Sequence, residues 1–100
     1  MPQFAVSVPH HLSKEEAHER LKSFSTKVKE HYAEMVKDIN QSWDGDTLNF
    51  GFKTLGANID GSLAVREDAV DVTGNLPMTA MLFKGKIESV LRDEIARLLS

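Results

Sequence analysis

The chain has 100 residues, no cysteine, 41% hydrophobic residues and a formal net charge of -3. The lack of cysteine excludes thiolate nucleophiles, redox pairs and thiolate zinc sites, and the interleaving of 12 basic with 15 acidic residues argues against a nucleic-acid partner. No apolar run approaches the ~18 residues of a membrane span, and the N-terminus lacks the pattern of a secretory signal. We therefore expect one cytoplasmic domain over residues 1–100 with no membrane span.

The first part of the chain predicts a strand followed by a helix. Residues 4–8 alternate apolar with smaller or polar side chains, which is typical of a half-buried strand, and Pro9 ends it. Ser13 is a good N-cap for a helix whose apolar side chains recur at helical spacing. That stripe consists of Ala17, Leu21, Phe24, Val28, Tyr32 and Met35. It predicts one helix running from Ser13 to about Met35.

The second part predicts a meander of four strands and a final helix. Residues 35–43 and 47–53 flank an Asp44-Gly45 turn and predict a hairpin, and alternation over 59–65 and 70–72 predicts two further strands. Residues 78–99 predict a helix whose apolar arc covers roughly 180°. Because this arc is wider than a sheet face requires, we expect the helix also to touch the first helix or another subunit.

The predicted fold is α+β, in the order β-α-β-β-β-β-α, with both helices packed on one face of an antiparallel sheet. The other face of the sheet is then polar and carries no large apolar side chain. It is either an ordinary solvated surface or a shallow polar binding face. Gly61 falls on the inward face, which predicts that a helix passes close to it or that an aromatic ring fills the space.

Sequence patterns for catalysis, cofactors and metals are lacking. His10 and His11 are adjacent in extended chain and point apart, so we expect one ring at the strand-to-helix corner and the other in solvent. Neither a phosphate loop nor a G-x-S-x-G turn occurs. Glu94 lies on the apolar arc of the last helix, where a buried carboxylate would need a partner such as His31 or an arginine of the hairpin side. We expect a protein that is not an enzyme, with no cofactor.

Residues 76–83 have the most apolar surface to place. Core filling is one interpretation. The other is an exposed, adaptable patch for lipid or partner contact, formed by Met78, Met81, Leu82 and Phe83. Leu82 favours the patch, because its helical angle falls off the main apolar stripe.

Taken together, several segments resemble the polyhydroxyalkanoic acid system proteins, a small bacterial family. They are "VPHHLSKEEA", "WDGDTLNFGF", "GSLAV" and "LPMTAMLFKGKIESVLRDEI", and the resemblance covers nearly the whole chain. The chain departs from the family pattern at His11, where serine is more usual. The resemblance implies association with polyhydroxyalkanoate synthesis and storage, and it brings no defined reaction and no catalytic residues.

The sequence therefore predicts a non-enzymatic accessory protein of polyhydroxyalkanoate storage. Its expected partners are the granule or the synthesis proteins, contacted through Met78, Met81, Leu82 and Phe83. Two alternatives stay open: a homodimeric interaction domain, and a carrier of a small apolar ligand held near Gly61 between sheet and helices.

Overall fold

The alternating strands assemble into a five-stranded antiparallel sheet in the computed structural model, which describes residues 3–100. Residues 1 and 2 of the predicted domain lie outside the described residues. The elements are β1 (Gln3–Pro9), α1 (Lys14–Leu21), α2 (Phe24–His31), β2 (Lys37–Asp44), β3 (Thr47–Thr54), β4 (Ala57–Val65), β5 (Ala69–Asn75), a 3₁₀ helix (Met78–Phe83) and α3 (Lys84–Leu99). The predicted α+β class is confirmed.

The sheet has the order β1-β5-β4-β3-β2, so β2 to β5 form the predicted meander and β1 pairs with β5. In the β2–β3 turn, Gly45 has φ +63°, as the Asp-Gly signal predicts. In the β3–β4 turn, Leu55 has φ +53° and Gly56 has φ +79°. Two consecutive loop residues with positive φ are the signature of a type I′ turn.

One face of the sheet is buried beneath the helices. Buried and more exposed side chains alternate along β1 and β3. Phe4, Val6 and Leu48 are buried, and their neighbours in sequence face outward. Helix α3 packs against β1 and also against α1 and α2. Its wide apolar arc is therefore used within the chain, which agrees with the predicted contact to the first helix.

The predicted long first helix is divided into α1 and α2 around Lys22 and Ser23. Gln41, on the inward side of β2, reaches this junction and bonds one backbone group at each of the two helix ends. Its amide nitrogen donates to the Lys22 carbonyl oxygen at 3.3 Å, and its side-chain oxygen accepts from the Ser25 N–H at 3.3 Å. A tertiary contact thus stabilises the break, although the apolar spacing continues through it. At the start of α1, Ser13 caps as predicted, accepting from the Glu16 N–H at 3.1 Å.

A row of two glycines and two phenylalanines crosses the inner face of the sheet, in the order Phe4, Gly74, Gly61 and Phe50. A Cβ on Gly61 would lie 2.7 Å from the Thr73 carbonyl oxygen and 2.9 Å from the Phe50 ring. The predicted aromatic ring therefore fills the space at Gly61. No room is left at that point for the ligand cavity that a carrier would need there.

Candidate functional site

Four apolar side chains of the 3₁₀ helix are partly or almost fully exposed, and we call them the apolar surface: Met78, Met81, Leu82 and Phe83. Leu82 is 92% exposed and Met78 is 77% exposed, while Met81 and Phe83 are 44% and 38% exposed. Of the two interpretations of this segment, the structure favours the exposed patch. A group of neighbouring exposed apolar side chains is a candidate surface for contact with another molecule.

The geometry of the 3₁₀ helix explains why these side chains cannot all be buried. Side chains three residues apart eclipse each other in such a helix, which gives it three sides. Ala80 and Phe83 form the side that faces the protein, and Ala80 is buried. Met78 with Met81, and Thr79 with Leu82, form the two other sides and are left in solvent. An α-helix was predicted from Met78, but α3 begins only at Lys84.

An apolar crevice opens beside this surface, between α3 and the β3–β4 turn. Its lining includes Met35, Phe52, Leu55, Phe83, Ile87 and Val90. The exposed lining is entirely apolar, and the crevice holds only ≈ 20 Å³ of space. Phe83 belongs to both features, so the apolar surface continues into the apolar crevice.

Leu55 lines the apolar crevice on the side opposite Phe83. Sequence reasoning did not identify it as a site residue. The side chain is 56% exposed and sits at a turn position with φ +53°. A left-handed conformation costs a residue other than glycine about 1–2 kcal/mol, and asparagine or glycine normally occupies this position of a type I′ turn. The one signal available was a leucine in the turn "LGAN", where a small polar residue is usual.

The segment Trp43–Asp46 is fixed to α1 by a polar cluster. The His18 ring stacks on Trp43 with centroids 4.1 Å apart, and its Nδ1 donates to Asp46 Oδ1 at 3.0 Å. Lys14 Nζ lies 3.0 Å from Asp46 Oδ2. The hydrogen bonds from His18 and then Lys14 hold the pKa of Asp46 below its ordinary value of 3.8. These contacts join α1 to the β2–β3 hairpin, so the role of the cluster is structural.

Two other polar groups that the sequence singled out are also structural. Glu94 is 1% exposed and accepts from His31 Nδ1 and from Arg97 Nη1, each at 2.9 Å. His31 is thus the expected partner, but the arginine comes from α3 itself and not from the hairpin side.

His10 is buried at the strand-to-helix corner, where its Nε2 donates to the Arg66 carbonyl oxygen at 2.9 Å and its Nδ1 accepts from the Leu12 N–H. His11 is exposed, as expected.

The outward face of the sheet carries the predicted short polar side chains. An open depression there has polar side chains from Gln3, Asn49, Asp60, Ser62, Thr73 and Asn75 in its lining, together with Phe50, Gly61 and Gly74. Ser62 Oγ donates to Asn49 Oδ1 at 2.8 Å, so part of this lining is already satisfied internally. Nothing in its mixture of amides, hydroxyls and one carboxylate selects a ligand class.

Within residues 3–100, no helix is long and apolar enough to cross a membrane. In the same range, no three histidine, aspartate or glutamate side chains lie close enough together to hold a metal ion. The apolar surface and the apolar crevice are two features that the packing of the fold does not explain.

Comparison with known proteins adds a family. A search of solved structures matches the crystal structure of TTHA0849 from Thermus thermophilus, at 9% identity and a TM-score of 0.44, over 98% of this chain and 94% of that one. A search of curated proteins finds no match. The sequence model of the family described as "Putative polyhydroxyalkanoic acid system protein" matches residues 4–99. Since this match covers almost the whole chain, the protein belongs to the polyhydroxyalkanoic acid system protein family.

Proposed function

We propose that this protein is a non-enzymatic, cytoplasmic accessory protein of the polyhydroxyalkanoic acid system that attaches to the polyester of storage granules through the apolar surface. The observation that carries the proposal is the exposure of Leu82 and Met78, which are 92% and 77% exposed at one end of an otherwise well-buried core. Membership of the family supports the link to the polyhydroxyalkanoic acid system. The apolar chemistry of these side chains supports attachment to the polyester.

A polyester surface suits this set of side chains. Methionine is flexible and polarisable, so Met78 and Met81 can adapt to a surface that has no fixed shape. Leu82 projects beyond them and would be the first side chain to leave water. Transferring one leucine side chain out of water contributes about 1.5–3 kcal/mol, so a few such residues suffice for reversible attachment.

The two alternatives make different use of the same molecule. A homodimer would bury the apolar surface against a second copy, and its signature is a doubled molar mass in solution. A carrier of a small apolar molecule would need a cavity near Gly61, where the Phe50 ring fills the space. That position therefore has no room for such a ligand.

The test is sedimentation of the purified protein with isolated polyhydroxyalkanoate granules, with molar mass in solution measured in parallel. Leu82→Asp should keep the fold, because the side chain is almost fully exposed, and should lower binding by about tenfold to a hundredfold. Asn58→Asp is the matched control, since it adds the same charge at an exposed position of β4. Its binding should equal that of the wild type.

Equal binding of Leu82→Asp and the wild type would contradict the proposal. A wild-type dimer that Leu82→Asp splits, together with no binding to granules, would replace it with the homodimer.

A further inference from the structure

We infer that the apolar crevice is a binding site for a short alkyl group of a hydroxyalkanoate ester, with Leu55 and Phe83 as its two lips. This inference rests on the proposed function for the chemical class of the ligand. The proposed function gives only a nonspecific contact through the apolar surface. The inference adds a specific binding site for one chemical group of the polymer.

The lining of the apolar crevice selects an alkyl group. Phe52 and Val90 form its floor with Ile87, and these three side chains are buried. Lys86 also borders it but contributes only apolar atoms to the exposed lining. Because the apolar crevice offers no exposed hydrogen-bonding atom, the ester group of a ligand would stay outside, where water or the remaining polymer can solvate it.

The size of the apolar crevice limits what enters. Its ≈ 20 Å³ slightly exceeds the roughly 10–15 Å³ of such cavity space that one water-sized group needs, so it holds a single small group. A terminal methyl group therefore fits with little adjustment, and a longer alkyl group requires the lips to separate. Leu55 and Phe83 are 56% and 38% exposed, so the core does not enclose either of these two side chains.

The backbone at Leu55 provides an independent argument. The residue combines a strained left-handed conformation with an exposed apolar side chain, and each of these is unfavourable for the free protein. Asparagine before Gly56 would remove both problems and give the preferred type I′ sequence. An exposed leucine at such a position is explained if its side chain is used in contact with something apolar.

The first test is the variant Leu55→Asn, which should have two opposite effects. The melting temperature should rise by a few degrees, because the strain is relieved without loss of core packing. Affinity for a soluble probe, ethyl 3-hydroxybutyrate, should fall by about threefold to tenfold, because one lip is lost. A leucine with a purely structural role would produce the reverse on stability, and that outcome would overturn the argument from strain.

The second test locates the probe and separates this inference from the proposed function. In a titration followed by nuclear magnetic resonance, ethyl 3-hydroxybutyrate should shift the methyl signals of Ile87 and Val90 in the wild type. Leu82→Asp should show the same shifts, since Leu82 does not line the apolar crevice. Unshifted Ile87 and Val90 signals at millimolar probe, or an unchanged affinity in Leu55→Asn, would overturn the inference. Loss of granule binding in Leu82→Asp would still support the proposed function in that case.

Discussion

The buried carboxylate of Glu94 leads to an asymmetric prediction about stability. Glu94 is 1% exposed, whereas the side chains of its partners His31 and Arg97 are 41% and 56% exposed. Removing both partners leaves a charge in the core with nothing to pair with. Removing Glu94 leaves His31 and Arg97, two side chains that water already solvates in large part. The same interaction should therefore be costly to break from one side and cheap to break from the other.

The magnitudes follow from this difference in burial. Breaking a buried pair by deleting the partners costs about 3–5 kcal/mol, and we expect the lower end because His31 and Arg97 are partly solvated. Glu94→Leu replaces the carboxylate with an apolar side chain of similar size, next to Val90, Leu91 and Ile95 on the same helix. It should change the free energy of unfolding by less than about 1 kcal/mol. At about 4–8 °C per kcal/mol, the double variant His31→Ala/Arg97→Ala should melt about 12–24 °C below the wild type.

Urea unfolding followed by the fluorescence of Trp43, the one tryptophan of the chain, measures the free energy of unfolding for each variant. Equal slopes against urea are needed, so that a change in midpoint reports a change in stability. If Glu94→Leu proves as destabilising as the double variant, the carboxylate itself stabilises the fold and the reasoning from burial is wrong.

Two further predictions concern the glycine row and the hairpin turn. Gly74→Ala should destabilise by about 3 kcal/mol, because its Cβ would overlap the Asp60 carbonyl oxygen and the Phe4 ring. Gly85→Ala, with nothing within 4 Å, is the control and should stabilise slightly. The lowered pKa of Asp46 predicts that its contribution to stability is present above pH 3.8 and is lost as pH falls below that value. Acid unfolding of Asp46→Asn should lack this component, and identical acid unfolding of the two proteins would contradict the assigned hydrogen bonds.

Local patterns predicted most of the fold. The Asp44-Gly45 turn, the alternation along the strands and the inward position of Gly61 depend on neighbouring residues, and each appears in the structure as expected. The break between α1 and α2 could not be predicted in this way. Apolar spacing continues from Leu21 to Phe24 and Val28. The side chain that bonds the backbone at the break is Gln41, which follows the junction by almost twenty residues and meets it only through the fold.

The candidate site was predicted in part for the same reason. Met78, Met81, Leu82 and Phe83 are close in sequence, so their excess of apolar surface was visible. Leu55 contributes from a different hairpin, and its meeting with Phe83 depends on how the β3–β4 turn faces α3. The 3₁₀ form of residues 78–83 was also missed, although Pro77 precedes it and accepts the Ala80 N–H at 2.9 Å.

The distribution of apolar side chains over the surface argues for attachment at one end of the molecule. Among residues 3–100, the large hydrophobic side chains with substantial exposure belong to two segments, the β3–β4 turn and the 3₁₀ helix. Leu55 and Phe83 line the same apolar crevice, so these segments meet. A protein that lay flat on an apolar polymer would need such side chains along a whole face, yet the outward face of the sheet is polar from Asn49 to Thr73. Under the proposed function, contact through these two segments would keep that polar face in water.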